Sequence, residues 1–174
     1  MKRATFQTEI ALKEAILARQ NIVVVCGTSS GKTTFVNGAI HFLDELCPHD
    51  RIVLLEDTAE LQCKSPNAVF FLTSELAGIT MRDLTKVCMR YAGGIGTFHA
   101  DSGTDALERL EELVEEAGAG PKQKLIGQAI DLIVFMTKTA RNTRELREIV
   151  RVKGYSKKDD AYVTEVVYRR TDNG

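Results

Sequence analysis

The sequence has almost no net charge, no hydrophobic run long enough to cross a membrane, no cysteines at metal-binding spacing, and no repeat, linker or low-complexity tract. Each absence removes a class of function. Lys and Arg number 23 against 24 Asp and Glu, a formal net charge of −1. A general nucleic-acid coat or a polybasic membrane anchor draws its affinity from a large positive excess, so nucleic acid is not an expected partner. The tilt along the chain is mild, net basic from Lys138 onward and net acidic before it. The longest apolar run near the start, Ile22 to Cys26, falls far below the roughly 20 residues of a membrane span. Met1-Lys2-Arg3 leads into a polar, amphipathic stretch instead of a signal-peptide core, and a cytoplasmic chain is expected. The four cysteines, Cys26, Cys47, Cys63 and Cys88, form no CxxC or Cys/His cluster that could hold zinc. They read as reduced, mostly buried thiols. With 174 residues, 44% of them hydrophobic, the chain is expected to fold as one domain over residues 1–174, around a sizeable core.

What is present is an alternation of helical and extended patterns. Thr5 to Gln20 predicts a helix, with Phe6, Ile10, Ala15, Ile16 and Leu17 near one face, Thr5 or Thr8 as cap and Asn21 as stop. Ile22-Val23-Val24-Val25 is β-branched without alternation, as in a strand covered on both faces inside a parallel sheet. Thr33 to Leu46 predicts a helix, Arg51 to Leu55 a strand ending in Glu56-Asp57, Val69 to Leu72 a strand and Met81 to Tyr91 a helix. Ile95 to His99 reads as a strand after Gly93-Gly94. From Thr104 to Ala117, Leu107, Leu110, Val114 and Ala117 share a helical face, opposite Glu108, Glu111, Glu112, Glu115 and Glu116, with Gly118 as cap. Those glutamates read as a solvated face. Pro121 opens another helix, Asp131 to Met136 a buried strand, and Glu148 to Lys153 pairs with Tyr162 to Tyr168 around Lys157-Lys158-Asp159-Asp160. The class is α/β, a mainly parallel sheet with helices on both faces and a C-terminal hairpin.

The strongest chemical signal is Cys26-Gly27-Thr28-Ser29-Ser30-Gly31-Lys32-Thr33, set between an apolar strand and a helix as a P-loop requires. Small residues let successive backbone amides curl around a phosphate at a helix N-terminus, a lysine reaches the β and γ oxygens, and a hydroxyl meets magnesium. Gly27, Thr28, Ser29, Ser30, Gly31, Lys32, Thr33 and Thr34 are the candidate nucleotide-binding residues for ATP or ADP, with Thr33 a candidate Mg2+ ligand. The usual pattern begins with Gly where this chain has Cys26, a strained position if it needs positive φ. A carboxylate at the C-terminal end of a parallel strand points into the crevice where phosphates lie, which singles out Glu56. The same residues fit a second description, in which Ile52 to Leu55 with Glu56-Asp57 is the magnesium-holding Walker B strand.

The segments CGTSSGKTTFVNGAI, RIVLLEDTAELQC, AGGIGTFHADSGTDALERLEEL, IDLIVFMTK and IVRVKGY resemble, in order and spacing, the C-terminal RecA-like motor domain of the secretion traffic ATPases of type II and type IV secretion. The resemblance covers nearly the whole chain. It implies a RecA-like P-loop ATPase that works as a hexameric ring with inner-membrane components of the secretion system, peripheral at the cytoplasmic face. It implies a catalytic role for Glu56, in the family's Asp box, in activating water or organising magnesium, with Asp57 in support. It matches Gly93 to Ala100 to the His box, which places Thr97 and His99 near the γ-phosphate. Two features of the family have no counterpart here. One is its N-terminal domain. The other is an apolar strand ending in Gly-Glu, the Walker B segment, which family members carry between a helix matching the one that ends near Tyr91 and the Gly-Gly of the His box.

Three functions stay open on this reading. The first is a magnesium-dependent ATPase motor subunit that drives substrate transfer or pilus assembly. The second is a non-hydrolysing nucleotide-binding module acting through partners, which the missing segment favours. The third is a P-loop kinase, whose arginine-rich lid could come only from Arg141, Arg144 and Arg147; a solvated basic loop is the plainer reading of that cluster.

Overall fold

The computed structural model describes residues 2–26, 31–56, 59–72, 93–116, 122–139 and 143–170. The strand after the first helix, β1 (Ile22–Cys26), is buried along its whole length, as its unbroken apolar run demands. Alternation along the strand sends Ile22, Val24 and Cys26 into one core and Val23 and Val25 into the other. The first core is covered by α1 (Lys2–Leu17), through Leu12, Ala15 and Ile16, and by α2 (Lys32–Leu46), through Val36, Ala39 and Ile40. The second is covered by α3 (Asp105–Glu116), through Ala106 and Leu107, and by α4 (Gln123–Ala129), through Ile126. Helices therefore lie on both faces, as the pattern predicted.

β1 is flanked in parallel by β4 (Ile95–Phe98) and β5 (Leu132–Lys138), with Val24 opposite Thr97 on one side and Val134 on the other. β6 (Arg144–Ser156) and β7 (Ala161–Arg169) add antiparallel, giving the order β4-β1-β5-β6-β7. The closing hairpin turns at residues 157–160, where the sequence put it, but its strands run longer at both ends. β2 (Ile52–Glu56) and β3 (Ala68–Leu72) pair in parallel as a separate two-stranded sheet. Ile52 and Leu54 pack into the same core as β1. Between β2 and the start of β4 lies a cavity of about 160 Å³, lined on its two sides by Ile52 to Leu54 and by Gly93 to Ile95. Among the described residues no strand joins the two sheets across it.

The N-terminal ends of the three parallel strands are tied by Asn21, which from sequence alone is only a helix stop. Its backbone N–H donates to Asp131 Oδ2 at 2.8 Å, its Nδ2 donates to the Ala129 carbonyl at 2.7 Å, and its Oδ1 accepts from the Gly94 N–H at 2.8 Å. One side chain thereby fixes where β4, β1 and β5 begin, and so how their opposite ends align. α1 starts ahead of Thr5, so neither Thr5 nor Thr8 is its cap. Of the cysteines, Cys26 is buried while Cys47 and Cys63 are half-buried, and all three are free thiols. Burial pushes the Cys63 thiol pKa up, aided by its contact with Asp44. The expected helix Met81 to Tyr91, Cys88, Gly118 and Pro121 lie outside the described residues.

Candidate phosphate-binding site

The C-terminal end of β1 leads to the N-terminus of α2, the arrangement that aims helix amides at an anion. Of the proposed loop, Gly27, Thr28, Ser29 and Ser30 lie outside the described residues, and Gly31, Lys32, Thr33 and Thr34 within them. Gly31 is the N-cap, with φ of 89° in the left-handed region, and no side chain caps the helix there. Its carbonyl accepts the first helical bond, from the Phe35 N–H at 3.0 Å. The glycine requirement therefore falls on Gly31. Cys26 pairs in β1 with Met136 and is absent from the positive-φ residues, so the strain considered for a cysteine at the head of the loop does not arise.

The first two residues of α2 point at different partners. Lys32 Nζ lies 3.0 Å from Nε2 and 3.2 Å from Nδ1 of His99. His99 follows β4 directly, and the parallel register that sets Phe98 opposite Val25 brings it beside Cys26, whose carbonyl its Nδ1 meets at 3.2 Å. The two residues expected at the phosphates, Lys32 and His99, are thus in contact. Thr97 is exposed, one residue within β4.

Thr33 Oγ1 donates to Glu60 Oε2 at 2.7 Å. Glu60 is held in turn by Asn37, one turn further along α2: Asn37 Nδ2 donates to the Glu60 carbonyl at 3.3 Å and Asn37 Oδ1 accepts from the Gln62 N–H at 2.8 Å. Two turns later Asp44 accepts from the Lys64 N–H at 3.1 Å and from the Cys63 thiol at 3.5 Å. The segment after β2 is therefore laced along α2. Glu56 closes β2, its backbone opposite Leu72; its side chain and Asp57 lie outside the description. The carboxylate that the structure sets on the candidate magnesium hydroxyl is Glu60, four residues beyond the one chosen from sequence. A strand-end Glu-Asp pair drew the choice; the E-L-Q that follows gave no signal, because Glu60 is placed by a tertiary contact with Asn37.

A hydroxyl and a carboxylate 2.7 Å apart are hard oxygen donors of the kind magnesium takes beside phosphate oxygens. No group of three or more metal-ligating His, Cys, Asp or Glu occurs among the described residues, and magnesium shared with a nucleotide needs none. Of the arginines considered for a lid, Arg141 and the Arg144 side chain are outside the description. Arg147 lines a cavity of about 240 Å³ with Ser102, Glu148, Arg169 and Arg170.

The family described as type II/IV secretion system protein matches residues 4–93. The probable conjugal transfer protein TrbB of Sinorhizobium fredii is 37% identical over 171 positions, which take in 83% of this chain and 52% of that protein. The conjugal transfer protein TrbB of Rhizobium radiobacter is 36% identical over 181 positions, 89% of this chain and 54% of that one. This chain spans about half the length of these relatives. Each alignment also has more positions than the part of this chain it uses, so each relative carries residues with no counterpart here. Among solved structures, the VirB11 ATPase of the Brucella suis type IV secretion system, in complex with sulphate, matches with a TM-score of 0.67 at 21% identity, over 85% of this chain and 54% of that one. The Legionella pneumophila ATPase DotB matches at 0.53 and 18%, over 79% and 46%. The fold is the RecA-like one of those secretion ATPases. No described helix is long and apolar enough to cross a membrane.

Proposed function

Since the chain belongs to the type II/IV secretion system protein family, we propose that it is an ATP-binding motor subunit of a type IV secretion or conjugal transfer system. Its ATP cycle drives substrate transfer or pilus assembly at the cytoplasmic face of the inner membrane, as part of a ring of like subunits and in contact with the system's inner-membrane components. The observation that carries the reading is the start of α2: an uncapped helix N-terminus behind a left-handed Gly31, then Lys32 and Thr33, with a carboxylate on the Thr33 hydroxyl. Gly27 to Thr34 meet the phosphates with amides, helix dipole and the Lys32 charge together. Thr33 and Glu60 would hold the magnesium ion, which would neutralise charge on the phosphates. Glu60, and Glu56 at the end of β2, are the carboxylates for orienting water.

Calorimetric titration with Mg-ADP tests the phosphate site. Lys32→Ala weakens binding by about a hundredfold or more, the scale of a desolvated charge-assisted contact, with the fold intact by circular dichroism. Unchanged affinity sinks the assignment.

A second reading, a nucleotide-binding module that does not hydrolyse, is favoured by the separate β2–β3 sheet and by the unmatched residues of the relatives. In-line attack on the γ-phosphate needs metal, water and carboxylate held together, and a Walker B glutamate has no counterpart in this sequence. ATP turnover by a chain of verified mass decides between them. Turnover that Glu56→Gln or Glu60→Gln cuts by about a hundredfold, the scale of a positioned general base, supports the motor; background turnover supports the module.

A further inference from the structure

A carbonyl oxygen only accepts, so the contact of His99 Nδ1 with the Cys26 carbonyl, 3.2 Å long, places the ring proton on Nδ1. That nitrogen then has no in-plane lone pair to offer a second donor. Lys32 Nζ nevertheless lies 3.2 Å from Nδ1 and 3.0 Å from Nε2. The two ring nitrogens flank Cε1. An ammonium in the ring plane at such distances from both would collide with Cε1 or sit inside the ring, so Nζ rides over the ring face, slightly nearer Nε2. A cation over an aromatic face is attracted to it. His99 is therefore fixed by its edge to the last carbonyl of β1, and it holds with its face the charged end of the first residue of α2. The parallel β1–β4 register supplies the placement, and the backbone itself keeps the ring there.

We infer that His99 is a positioning residue for Lys32. It acts on nucleotide binding through the lysine, and so on the phosphates common to ADP and ATP, instead of reading the γ-phosphate by direct contact. The inference rests on the proposal that Lys32 meets the phosphates. It separates cleanly from a γ-phosphate sensor, which would distinguish ATP from ADP, and from a structural role, which would not depend on Lys32. His99 is exposed, so its replacement leaves both cores untouched.

The test is a double-mutant cycle, read as affinity for a fluorescent ADP and a fluorescent non-hydrolysable ATP analogue with magnesium, in wild type, His99→Ala, Lys32→Ala and the double variant. His99→Ala weakens both nucleotides alike, by about fivefold, and has no further effect once Lys32 is alanine. His99→Phe, which keeps a ring face without its nitrogens, retains more ADP affinity than His99→Ala. Loss confined to the ATP analogue, an equal loss with and without Lys32, or equal losses for the alanine and phenylalanine variants overturns the inference. If Lys32→Ala binds ADP as tightly as wild type, the phosphate-site reading fails first and takes this inference with it.

Discussion

The five-stranded sheet and the β2–β3 pair stand on either side of the same site and are held in different ways. β1 is buried at every position, and β5 at four of its seven, so their place is set by close-packed apolar surface on both faces. β2 and β3 expose Val53, Phe70 and Phe71 and bury Ile52 and Leu54. Much of their attachment to the rest is polar: Asn37 and Asp44 on α2 hold the backbone of residues 60–64. Each such bond is worth only about 1 kcal/mol net. Lys32 and His99 belong to the rigid side, and Glu56 and Glu60 to the lightly held side. In this account phosphate binding is built into the core, whereas the carboxylates reach the site through a few surface bonds that a bound metal would reinforce.

Substitutions on the two sides should break that comparison unequally. The largest effect is in the core. Ile133, 1% exposed, mutated to alanine costs about 3 kcal/mol, the range for large-to-small changes in a packed interior, whereas Phe70→Ala, at a position 52% exposed, costs under about 1 kcal/mol. Urea unfolding of both variants checks the pair. Similar losses would mean that β3 is as firmly built in as β5.

Next in size is the metal. Glu60→Gln should lower the gain in ADP affinity that magnesium brings by about tenfold, the scale of one charge-assisted ligand, while ADP affinity in EDTA stays that of wild type. Titrations with and without magnesium read this directly. A variant whose magnesium gain is unchanged removes Glu60 from the metal site and returns the role to Glu56.

Asn37→Ala comes third. It removes the two bonds that Asn37 makes to Glu60 and Gln62 and should destabilise the chain by about 1 to 2 kcal/mol in urea unfolding. The magnesium gain should shrink with it, because Glu60 loses its support. A fall in stability with the metal effect intact would show that Glu60 finds Thr33 unaided.

Much of this was legible in the sequence because it is written in short-range pattern. Ile22 to Cys26 and Leu132 to Met136 are apolar without alternation, and only a strand covered on both faces needs that. Gly31-Lys32-Thr33 between strand and helix points to a phosphate with little competition. Of the glutamates of α3, Glu108, Glu112 and Glu115 are exposed as expected, whereas Glu111 is half-buried and accepts from Gln123 Nε2 at 3.1 Å. Glu60 and Asn21 were not legible. Glu60 lies in a segment without regular structure, and its direction is set by Asn37, 23 residues earlier in the chain. Asn21 looks like a helix stop, and its bonds to Gly94, Ala129 and Asp131 exist only once three strands are side by side. The resemblance expects an apolar segment after Tyr91 that this sequence lacks, and among the described residues no strand joins β2–β3 to the main sheet.

The smallest expected effect lies on the hairpin, far from the comparison's seam. Lys153 beside Glu165, at 2.9 Å, holds that carboxyl below the usual carboxylate range. A carboxyl whose pKa is lowered by folding stabilises above its unfolded value and loses that contribution as pH falls through the lowered one. Lys153→Ala should therefore flatten the acid limb of the stability curve slightly and leave neutral-pH nucleotide binding untouched. The pair is exposed and screened by salt, so a shift large enough to rival Asn37→Ala would contradict its assignment to the surface.

The claim that one side of the site is fixed and the other recruited is tested most directly by hydrogen exchange of the strand amides with ADP, in the presence of magnesium or of EDTA. The account predicts that residues 22–26 and 132–136 exchange slowest throughout, that residues 52–56 and 68–72 exchange faster without metal, and that magnesium with ADP slows this second group specifically. Equal protection of both groups without nucleotide, or the same slowing by ADP in EDTA, would contradict it.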